Sequence, residues 1–285
     1  MTDIYNSEEF ATLIELAYRE DAPMGDLSTR YILSESDRAI ATLIAKDNGI
    51  VSGLEVAYMV LNWCTPEEEF TFSPQYEDGD EVGKGDILAT IEAPYAELLR
   101  AERIMLNFLQ RMSGIATYTH QCVQCVAGTK TQILDTRKTA PGHRLTDKMA
   151  VRHGGGTNHR ASLSDMVMLK DNHIAMAGGI IPAVEAVRPH LPISILIEVE
   201  TSTLEEVQDA LDAGADIIML DNMDTETMRR AVELIDGQAK VEASGNMTAE
   251  RLAAVAAVGV DYISIGALTH SVRAFDISMK IKPIL

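Results

Sequence analysis

The chain has 285 residues, of which 46% are hydrophobic, and it carries a formal net charge of -19 at pH 7. This size and composition indicate a globular protein with one α/β barrel or two smaller domains. The charge argues against nucleic acid or an anionic membrane as a partner, and no apolar run reaches the roughly 20 residues of a membrane span. Three cysteines and an amino terminus without a secretory signal favour reduced thiols and a cytoplasmic location.

Residues 1 to about 95 are predicted to form a mixed α/β unit. A first helix is expected to follow Ser7, whose hydroxyl would cap it and whose next two residues are glutamates. Strand-like segments follow at 39–45, 70–72 and 87–91. The turn at 78–86 resembles the hairpin of biotin- and lipoate-carrying domains, but no lysine stands on an exposed turn of a partner hairpin. We therefore interpret this turn as structural.

A helical pattern runs from 97 to about 126, with an expected interruption at Gly114, and it should link the two domains. The helix carries Arg103, and it places Cys122 and Cys125 on one face. A single CxxC pair of this kind is more typical of helix packing than of zinc or redox chemistry.

Beyond residue 130 the chain alternates short apolar runs with amphipathic helical stretches. The six apolar runs are 132–134, 166–169, 193–199, 217–220, 239–241 and 262–265. Apolar strands that alternate with helices predict parallel strands, buried on both faces and joined by right-handed crossovers. Because an α/β barrel usually has eight such strands, six predict an incomplete or elaborated barrel.

Residues that can bind an anion, a metal or a phosphate follow every predicted strand. The segment from Asp135 to Lys170 also holds seven lysines or arginines against three aspartates, although the chain as a whole is acidic. The carboxyl ends of barrel strands meet at one mouth, where barrel enzymes assemble their active sites. We therefore predict an active site at this end of the barrel.

Four cations in this set indicate a substrate with more than one negative group. Arg137 and Arg160 have planar guanidinium groups suited to carboxylates, and Lys138 and Lys170 add compact positive charges. A lysine at a strand end is also the nucleophile of Schiff-base aldolases and decarboxylases, so Lys170 leaves that reaction open. His159 either donates a hydrogen bond to the substrate or orders its loop.

Acidic residues and glycines follow the later strands. Glu200 and Asp221 could hold a divalent cation or the hydroxyls of a sugar. The turns Ser244-Gly245-Asn246 and Gly266-Ala267 stand where barrels commonly bind a phosphate through backbone N–H groups. A non-enzymatic binding protein for aromatic acids would keep the arginines but would not need both acids.

Motifs spread through nearly the whole chain match one family. They are Gly25-Asp26-Leu27-Ser28-Thr29, Ala101-Glu102-Arg103, Asp135-Thr136-Arg137-Lys138-Thr139, Asn158-His159-Arg160, Leu169-Lys170-Asp171-Asn172-His173, Leu220-Asp221-Asn222 and Gly266-Ala267-Leu268-Thr269-His270-Ser271. On these residues the chain resembles the carboxylating quinolinate phosphoribosyltransferases. It departs from the family's usual Pro-Gly-Leu-Arg at Pro141-Gly142-His143-Arg144, where His143 could alter a lid over the site.

The resemblance implies a fold and an assembly. An amino-terminal α/β open-faced sandwich, residues 1–115, would be joined by the carboxyl-terminal segment, about 270–285. An incomplete (β/α) barrel would span 116–269. Members of this family form homodimers in which one subunit's amino-terminal domain covers the partner's barrel mouth, so Arg103 would act in the neighbouring subunit's site.

The resemblance also implies substrates and ligands. Quinolinate and phosphoribosyl pyrophosphate would react with Mg²⁺ present to give nicotinate mononucleotide, pyrophosphate and carbon dioxide. The quinolinate carboxylates would bind Arg103, Arg137, His159, Arg160 and Lys170. Phosphoribosyl pyrophosphate and its magnesium would bind Lys138, Glu200 and Asp221, with the two acids as metal ligands. Phosphate would bind Ser244, Gly245, Asn246, Ile265, Gly266 and Ala267. Thr136 would complete the substrate site, and the catalytic set would be Lys138, Lys170, Glu200 and Asp221.

Overall fold

The computed structural model describes residues 8–284, which form two compact units. Within the described residues, the first unit contains 8–120, Thr139–Gly155 and 270–284. The second unit contains Gln121–Lys138 and Gly156–Thr269. The helix cap predicted at Ser7 lies outside the described residues. No helix in the described part of the chain is both long and apolar enough to cross a membrane.

The first unit is built on antiparallel strands. They are β1 (Arg38–Ala45), β2 (Gly49–Ile50), β3 (Thr71–Pro74), β4 (Glu81–Val82), β5 (Ile87–Pro94) and β12 (Ile277–Pro283). Four of them form one sheet in the order β12-β1-β5-β3, and β2 pairs with β4. Alternate residues of β1, from Ala39 to Ala45, are buried, so one face of this sheet packs against the core.

Four helices accompany these strands. They are α1 (Glu8–Asp21), α2 (Leu54–Cys64), α3 (Tyr95–Cys125), whose last turn belongs to the second unit, and α4 (Arg144–His153). The predicted turn at 78–86 contains the short strand β4, which pairs with β2. Asp78 Oδ1 accepts hydrogen bonds from Gly53 N at 2.7 Å and from Leu54 N at 2.9 Å, which holds the turn against the start of α2. The turn therefore has a structural contact.

The interruption predicted at Gly114 is wrong, because α3 is one continuous helix of 31 residues. A side chain at Gly114 would collide with Arg273 O, and its Cβ would lie 3.3 Å from Phe275 N. The backbone of this returning segment is fastened here by a hydrogen bond from Phe275 N to Gln110 O at 2.9 Å. The glycine thus permits a close approach of two backbones, at the small cost of a weaker helix former.

The second unit contains six strands, all parallel. They are β6 (Gln132–Leu134), β7 (Val167–Leu169), β8 (Ile197–Thr201), β9 (Ile217–Asp221), β10 (Lys240–Ser244) and β11 (Tyr262–Ser264). Their order is β6-β11-β10-β9-β8-β7, and within the described residues the outer strands β6 and β7 do not pair with each other. This confirms the predicted α/β fold with an incomplete barrel.

Five helices lie between the parallel strands from β7 to β11, and a short one follows β11. The five are α5 (Asp171–Ala177), α6 (Ile180–Val187), α7 (Leu204–Asp212), α8 (Thr225–Ile235) and α9 (Ala249–Ala256), and the last is α10 (Ala267–His270). Capping side chains begin two of them. Thr203 Oγ1 accepts a hydrogen bond from Glu206 N at 3.1 Å, and Asp224 Oδ1 accepts one from Thr227 N at 2.7 Å. These caps satisfy amide groups that the first turn of a helix leaves without a partner.

The strand predicted at 193–199 begins four residues later, at Ile197. Pro192 starts a turn in which its carbonyl accepts a hydrogen bond from Ile195 N at 3.0 Å, and the side chain of Ile193 is fully exposed. At its carboxyl end, β8 extends beyond the predicted residue 199, to Thr201. Glu200 therefore lies inside β8. In the two neighbouring strands, Asp221 and Ser244 are the last residues of β9 and β10 rather than the residues after them.

Candidate active site

The second unit contains all of the predicted site residues except one. The loop after β6 carries Thr136, Arg137 and Lys138, the segment before β7 carries His159 and Arg160, and Lys170 directly follows β7. Strand β8 contains Glu200, and β9 ends at Asp221. Strand β10 ends at Ser244 and is followed by Gly245 and Asn246, and β11 is followed by Ile265, Gly266 and Ala267. The exception is Arg103, which is exposed on α3 within the first unit.

The register of the parallel strands places three polar residues on one face. Glu200 pairs with Met219, and Asp221 lies two residues further along β9. Asp221 in turn pairs with Ser244. Because alternate residues of a strand share a face, Glu200, Asp221 and Ser244 lie on the same face of the sheet.

An ion pair joins the ends of β7 and β8. Lys170 Nζ donates to Glu200 Oε2 at 2.7 Å, with 45% of the lysine side chain and 17% of the glutamate side chain exposed. The backbone of the lysine is also held, because His173 Nδ1 accepts a hydrogen bond from Lys170 N at 3.1 Å. A pair this open to solvent adds little stability. Its position at the strand ends is therefore better explained by binding than by folding.

Asp135 fastens the segment before β7 to the end of β6. Its carboxylate is fully buried, and it accepts hydrogen bonds from Asn158 Nδ2 at 2.6 Å and from His159 N at 2.9 Å. The contact brings His159 and Arg160 next to the residues that follow β6. The sequence placed Asp135 directly after the first predicted strand of this unit, but its role as a buried anchor was not predicted.

The loop after β6 is fixed at two points. Thr136 Oγ1 accepts a hydrogen bond from Lys138 N at 3.1 Å, and Lys138 O accepts one from Thr269 Oγ1 at 2.9 Å. Lys138 itself has an exposed side chain, whereas Arg137 is half-buried. The backbone of this loop is thus held in place while its cations remain at the surface of the unit.

A chain of amide contacts joins the ends of β9 and β10. Asn222 Nδ2 donates to Asp221 Oδ2 at 2.7 Å, and Asn222 Oδ1 accepts from Asn246 Nδ2 at 3.1 Å. Asn222 and Asn246 both have left-handed backbones, with φ of 56° and 47°, and Gly245 has φ of 88°. Left-handed residues other than glycine cost energy and gather at functional sites. The structure therefore brings the predicted acid of β9 and the predicted phosphate turn into one network.

Two glutamates that sequence reasoning missed lie under this site. His159 Nε2 lies 3.0 Å from Glu198 Oε2 and 3.4 Å from Glu242 Oε2, and both glutamates are fully buried. Only part of the signal was present in the sequence, because Glu198 interrupts the apolar run 193–199 whereas Glu242 directly follows the run 239–241. These three residues could also hold a metal ion, since one ligand atom from each lies within 4.8 Å of the others.

The charges of this cluster act on each other. Burial alone would lower the pKa of His159, but its hydrogen bonds with Glu198 and Glu242 raise it to about 9. Burial raises the pKa of Glu198 to about 6, against the lowering effect of its hydrogen bond with His159. The carboxylates thus favour a second proton on the ring. The amide of Arg160 opposes one, because Arg160 N donates to His159 Nδ1 at 2.8 Å.

Arg160 is held close to a second arginine. Its Nη1 donates to Met166 O at 3.1 Å, and its Nη2 lies 3.5 Å from Met168 Sδ. Burial, and next the positive charge of Arg137, lower the pKa of the Arg160 guanidinium. Two guanidinium groups that repel each other form a site that an anion would stabilise.

The parallel sheet, with cations, carboxylates and a left-handed glycine turn at its strand ends, defines the class of the protein: an α/β-barrel enzyme for anionic small molecules. Two family models match the chain, the quinolinate phosphoribosyl transferase N-terminal domain over residues 26–113 and the C-terminal domain over residues 115–280. The chain belongs to the quinolinate phosphoribosyl transferase family.

Named relatives agree with this assignment. The chain is 42% identical over 276 residues to the probable nicotinate-nucleotide pyrophosphorylase [carboxylating] of Bacillus subtilis, which covers 97% of this chain and 94% of that protein. The crystal structure of NadC from Streptococcus pyogenes has a TM-score of 0.92, 40% identity and 97% coverage of both chains. The nicotinate-nucleotide pyrophosphorylase structure from Francisella tularensis has a TM-score of 0.91 and 35% identity, and covers 99% of this chain and 100% of that one.

Proposed function

We propose that the protein transfers the phosphoribosyl group of phosphoribosyl pyrophosphate to quinolinate and releases pyrophosphate and carbon dioxide. The product is nicotinate mononucleotide, a precursor of NAD. The observation that carries this proposal is the pairing of opposite charges at neighbouring strand ends, with Lys170 Nζ 2.7 Å from Glu200 Oε2. A dicarboxylate next to a metal-bound pyrophosphate needs cations and carboxylates side by side, and the family of the chain supplies the reaction.

The cations are proposed to bind quinolinate. Arg137 and Arg160 are half-buried guanidinium groups close enough to repel each other, and a dicarboxylate would neutralise both. Lys170 would provide a third positive group at the end of β7. His159, which the resemblance also assigns to quinolinate, has its ring nitrogens next to Glu198 and to Arg160 N.

The acids are proposed to hold Mg²⁺ with phosphoribosyl pyrophosphate. Glu200 and Asp221 share a face of the sheet, both are partly exposed, and their carboxylate oxygens are the donors that Mg²⁺ prefers. The residues present therefore fit this ion. When bound, Mg²⁺ would supply positive charge that offsets the charge on the departing pyrophosphate.

The phosphate groups are proposed to bind two backbone turns and a lysine. Gly245 and Asn246 have left-handed backbones after β10, and Gly266 and Ala267 follow β11. Such turns can present backbone N–H groups to a phosphate. Lys138, whose backbone N and O are both hydrogen-bonded while its side chain is exposed, would contribute a further positive charge.

The chemistry then follows from charge. The quinolinate nitrogen attacks the anomeric carbon as pyrophosphate leaves, through a state with oxocarbenium character, so cations near the leaving group stabilise the transition state more than the ground state. The alkylated ring is cationic and stabilises the electron pair left on the ring carbon when the adjacent carboxylate departs as carbon dioxide, and a proton from solvent then adds to that carbon. No protein nucleophile is needed. A Schiff-base reaction would instead use Lys170 Nζ as the nucleophile, and in this structure Nζ donates to Glu200 Oε2 at 2.7 Å.

Three further points stay predictions that rest on the resemblance. The domains would be an amino-terminal unit of residues 1–115, joined by about 270–285, and a barrel of residues 116–269. The protein would act as a homodimer in which Arg103 serves the neighbouring subunit's site. The compartment would be the cytoplasm.

One assay tests the reaction. Quinolinate labelled in the carboxylate next to the ring nitrogen is incubated with phosphoribosyl pyrophosphate and Mg²⁺, and labelled carbon dioxide, pyrophosphate and mononucleotide are measured. Equal amounts of the three products are expected. Carbon dioxide without pyrophosphate, or a borohydride-trapped adduct on Lys170, would show a decarboxylase or aldolase instead.

A further inference from the structure

Glu198 and Glu242 have no role in the reaction proposed above. Glu198 lies two residues before Glu200 on β8, and Glu242 lies two residues before Ser244 on β10. Residues two apart on a strand share a face, so both carboxylates lie on the face that carries the candidate site, one level deeper in the sheet. Each is 0% exposed.

Burial of these two carboxylates costs folding free energy, because it removes charged groups from water. Among the described residues, Glu198 Oε1 and Glu242 Oε1 accept no hydrogen bond, and Glu242 Oε2 has only the longer contact with His159 Nε2, at 3.4 Å. Replacing buried charged groups with apolar side chains of similar volume often stabilises a protein. Two buried glutamates that share one imidazole are therefore better explained by a requirement of function than by folding.

The ring of His159 is engaged at both nitrogens. Nδ1 accepts a hydrogen bond from Arg160 N at 2.8 Å, and an accepting nitrogen carries no proton. The carboxylates favour a second ring proton, but the amide of Arg160 occupies the position that this proton would need on Nδ1. The ring proton is therefore on Nε2, which faces Glu198 Oε2 at 3.0 Å. Neither nitrogen is left for a substrate carboxylate. A metal ion at Nε2 would need the lone pair that this proton occupies, so the same geometry weighs against a metal in the cluster.

The contact with Arg160 N connects the cluster to the substrate site. The backbone of Arg160 is held by the His159 ring, and its guanidinium is held by Met166 O at 3.1 Å. The arginine is thus fixed at both ends. The positive charge of Arg137 repels the guanidinium group of Arg160. The contacts of Arg160 with the His159 ring and with Met166 O oppose a movement of the side chain away from Arg137.

We propose that Glu198, Glu242 and His159 form a positioning unit for Arg160, in which the two carboxylates fix the ring and the ring fixes the arginine's backbone. This rests on the proposed function, where Arg160 binds quinolinate. His159 then acts through Arg160 and does not touch the substrate, in contrast to the direct role that the resemblance implies. A divalent cation held by the three residues is the competing explanation.

Kinetics of isosteric variants test the proposal. Glu198→Gln and Glu242→Gln keep the shape of the side chain but weaken its hold on the ring. We expect the KM for quinolinate to rise at least about tenfold in each, with kcat and the KM for phosphoribosyl pyrophosphate within about threefold of the unmodified protein. The control is Glu233→Gln, at an exposed glutamate of α8, which should change neither constant. Variants that lose thermal stability but keep a normal KM for quinolinate would make the pair structural and overturn the proposal.

Nitrogen NMR of the histidine rings tests the proposal on the unmodified protein. A His159→Gln sample serves only to assign the His159 signal. The expected spectrum has a proton on Nε2 only, and it stays unchanged when quinolinate saturates the protein. A ring protonated on both nitrogens, or one whose signal moves on binding, would overturn the proposal. So would a Mn²⁺ ion, measured by equilibrium dialysis, that binds the unmodified protein and is lost in Glu242→Gln. Neither the ring spectra nor quinolinate binding measured by calorimetry depends on turnover. If the transfer assay alone failed, the proposed function would be rejected, and these two measurements would still decide whether the cluster positions Arg160.

Discussion

Gly245 and Asn222 lie so close together that no side chain fits between them. A Cβ built on Gly245 would collide with Asn222 Oδ1 and lie 2.8 Å from Asn222 N. Both residues have left-handed backbones, and Asn222 also donates to Asp221 Oδ2 at 2.7 Å. The proposed phosphate turn and the proposed metal ligand therefore cannot move independently.

Gly245→Ala should weaken the binding of phosphoribosyl pyrophosphate. The new methyl group must displace Asn222 and with it the contact to Asp221, so we expect the KM for this substrate to rise roughly tenfold or more while the KM for quinolinate changes little. Gly237→Ala is the matched control, because Gly237 also has a positive φ, of 73°, but nothing within 4 Å of the added Cβ. The control measures backbone strain alone. Equal effects of the two substitutions on the KM would contradict the account.

Arg137→Ala should nearly abolish turnover of quinolinate while the protein stays folded. The substitution removes a guanidinium group proposed to grip a carboxylate, and charge-assisted pairs of this kind are among the stronger hydrogen bonds. Initial rates and a thermal melt of the same sample provide the measurement. Arg229→Ala, at an exposed arginine of α8, serves as the control. Near-normal turnover in Arg137→Ala would remove this residue from the site.

The stability of the first unit should fall as the pH is lowered through about 6.5. Burial lowers the pKa of His143 and of His153 below the ordinary value of 6.5, so below that pH the unfolded chain binds protons that the folded unit does not. Each group can add a slope of at most about 1.4 kcal/mol per pH unit. We expect His143→Gln and His153→Gln to flatten the loss of stability between pH 7.5 and 5.5, as followed by urea unfolding. The control is His190→Gln, at an exposed histidine, which should leave the dependence of stability on pH unchanged. An equal change in all three variants would show that the buried histidines are not the cause.

Mixed dimers should recover activity. Arg103→Ala and Lys170→Ala should each be inactive alone, because one loses the residue proposed to act across subunits and the other loses a ligand within the barrel. If Arg103 serves the neighbouring site, a dimer with one copy of each variant contains one intact site. After mixing and proven exchange of subunits, we expect a quarter or so of normal activity, since about half of the dimers are mixed and each has one site. No recovery would mean that Arg103 works within its own subunit or has no role.

The alternation of apolar runs and helices predicted the number, direction and approximate positions of the strands in the second unit. It predicted them well because parallel strands are buried on both faces and leave an unbroken apolar signal. The start of β8 was misplaced because Ile193, Ile195 and Leu196 continue that signal into a turn, which only Pro192 marks. The break expected at Gly114 was wrong for a different reason, since the glycine serves a contact with Arg273 that is 159 positions away in the sequence.

The charged members of the candidate site were visible because they end strands, whereas the residues that hold them were not. Glu198 and Glu242 lie within strands, where a glutamate is easily taken for an outward-facing residue. Asn222 was part of a recognised motif, but its role depends on its backbone angle and on Gly245. Pairwise contacts between separate strands of this kind cannot be read from the pattern of a single strand.

Substrate choice tests the central claim most directly. Nicotinate lacks the carboxylate next to the ring nitrogen, so it would leave Arg137 and Arg160 with one of the two carboxylates that are proposed to neutralise them. Because these cations are only partly buried, we take the lower end of the usual cost, about 3 kcal/mol, which corresponds to roughly a hundredfold. The measurement is kcat/KM for quinolinate and for nicotinate at saturating phosphoribosyl pyrophosphate and Mg²⁺. A preference for quinolinate of roughly a hundredfold or more is the predicted result, and comparable values for the two acids would contradict the account.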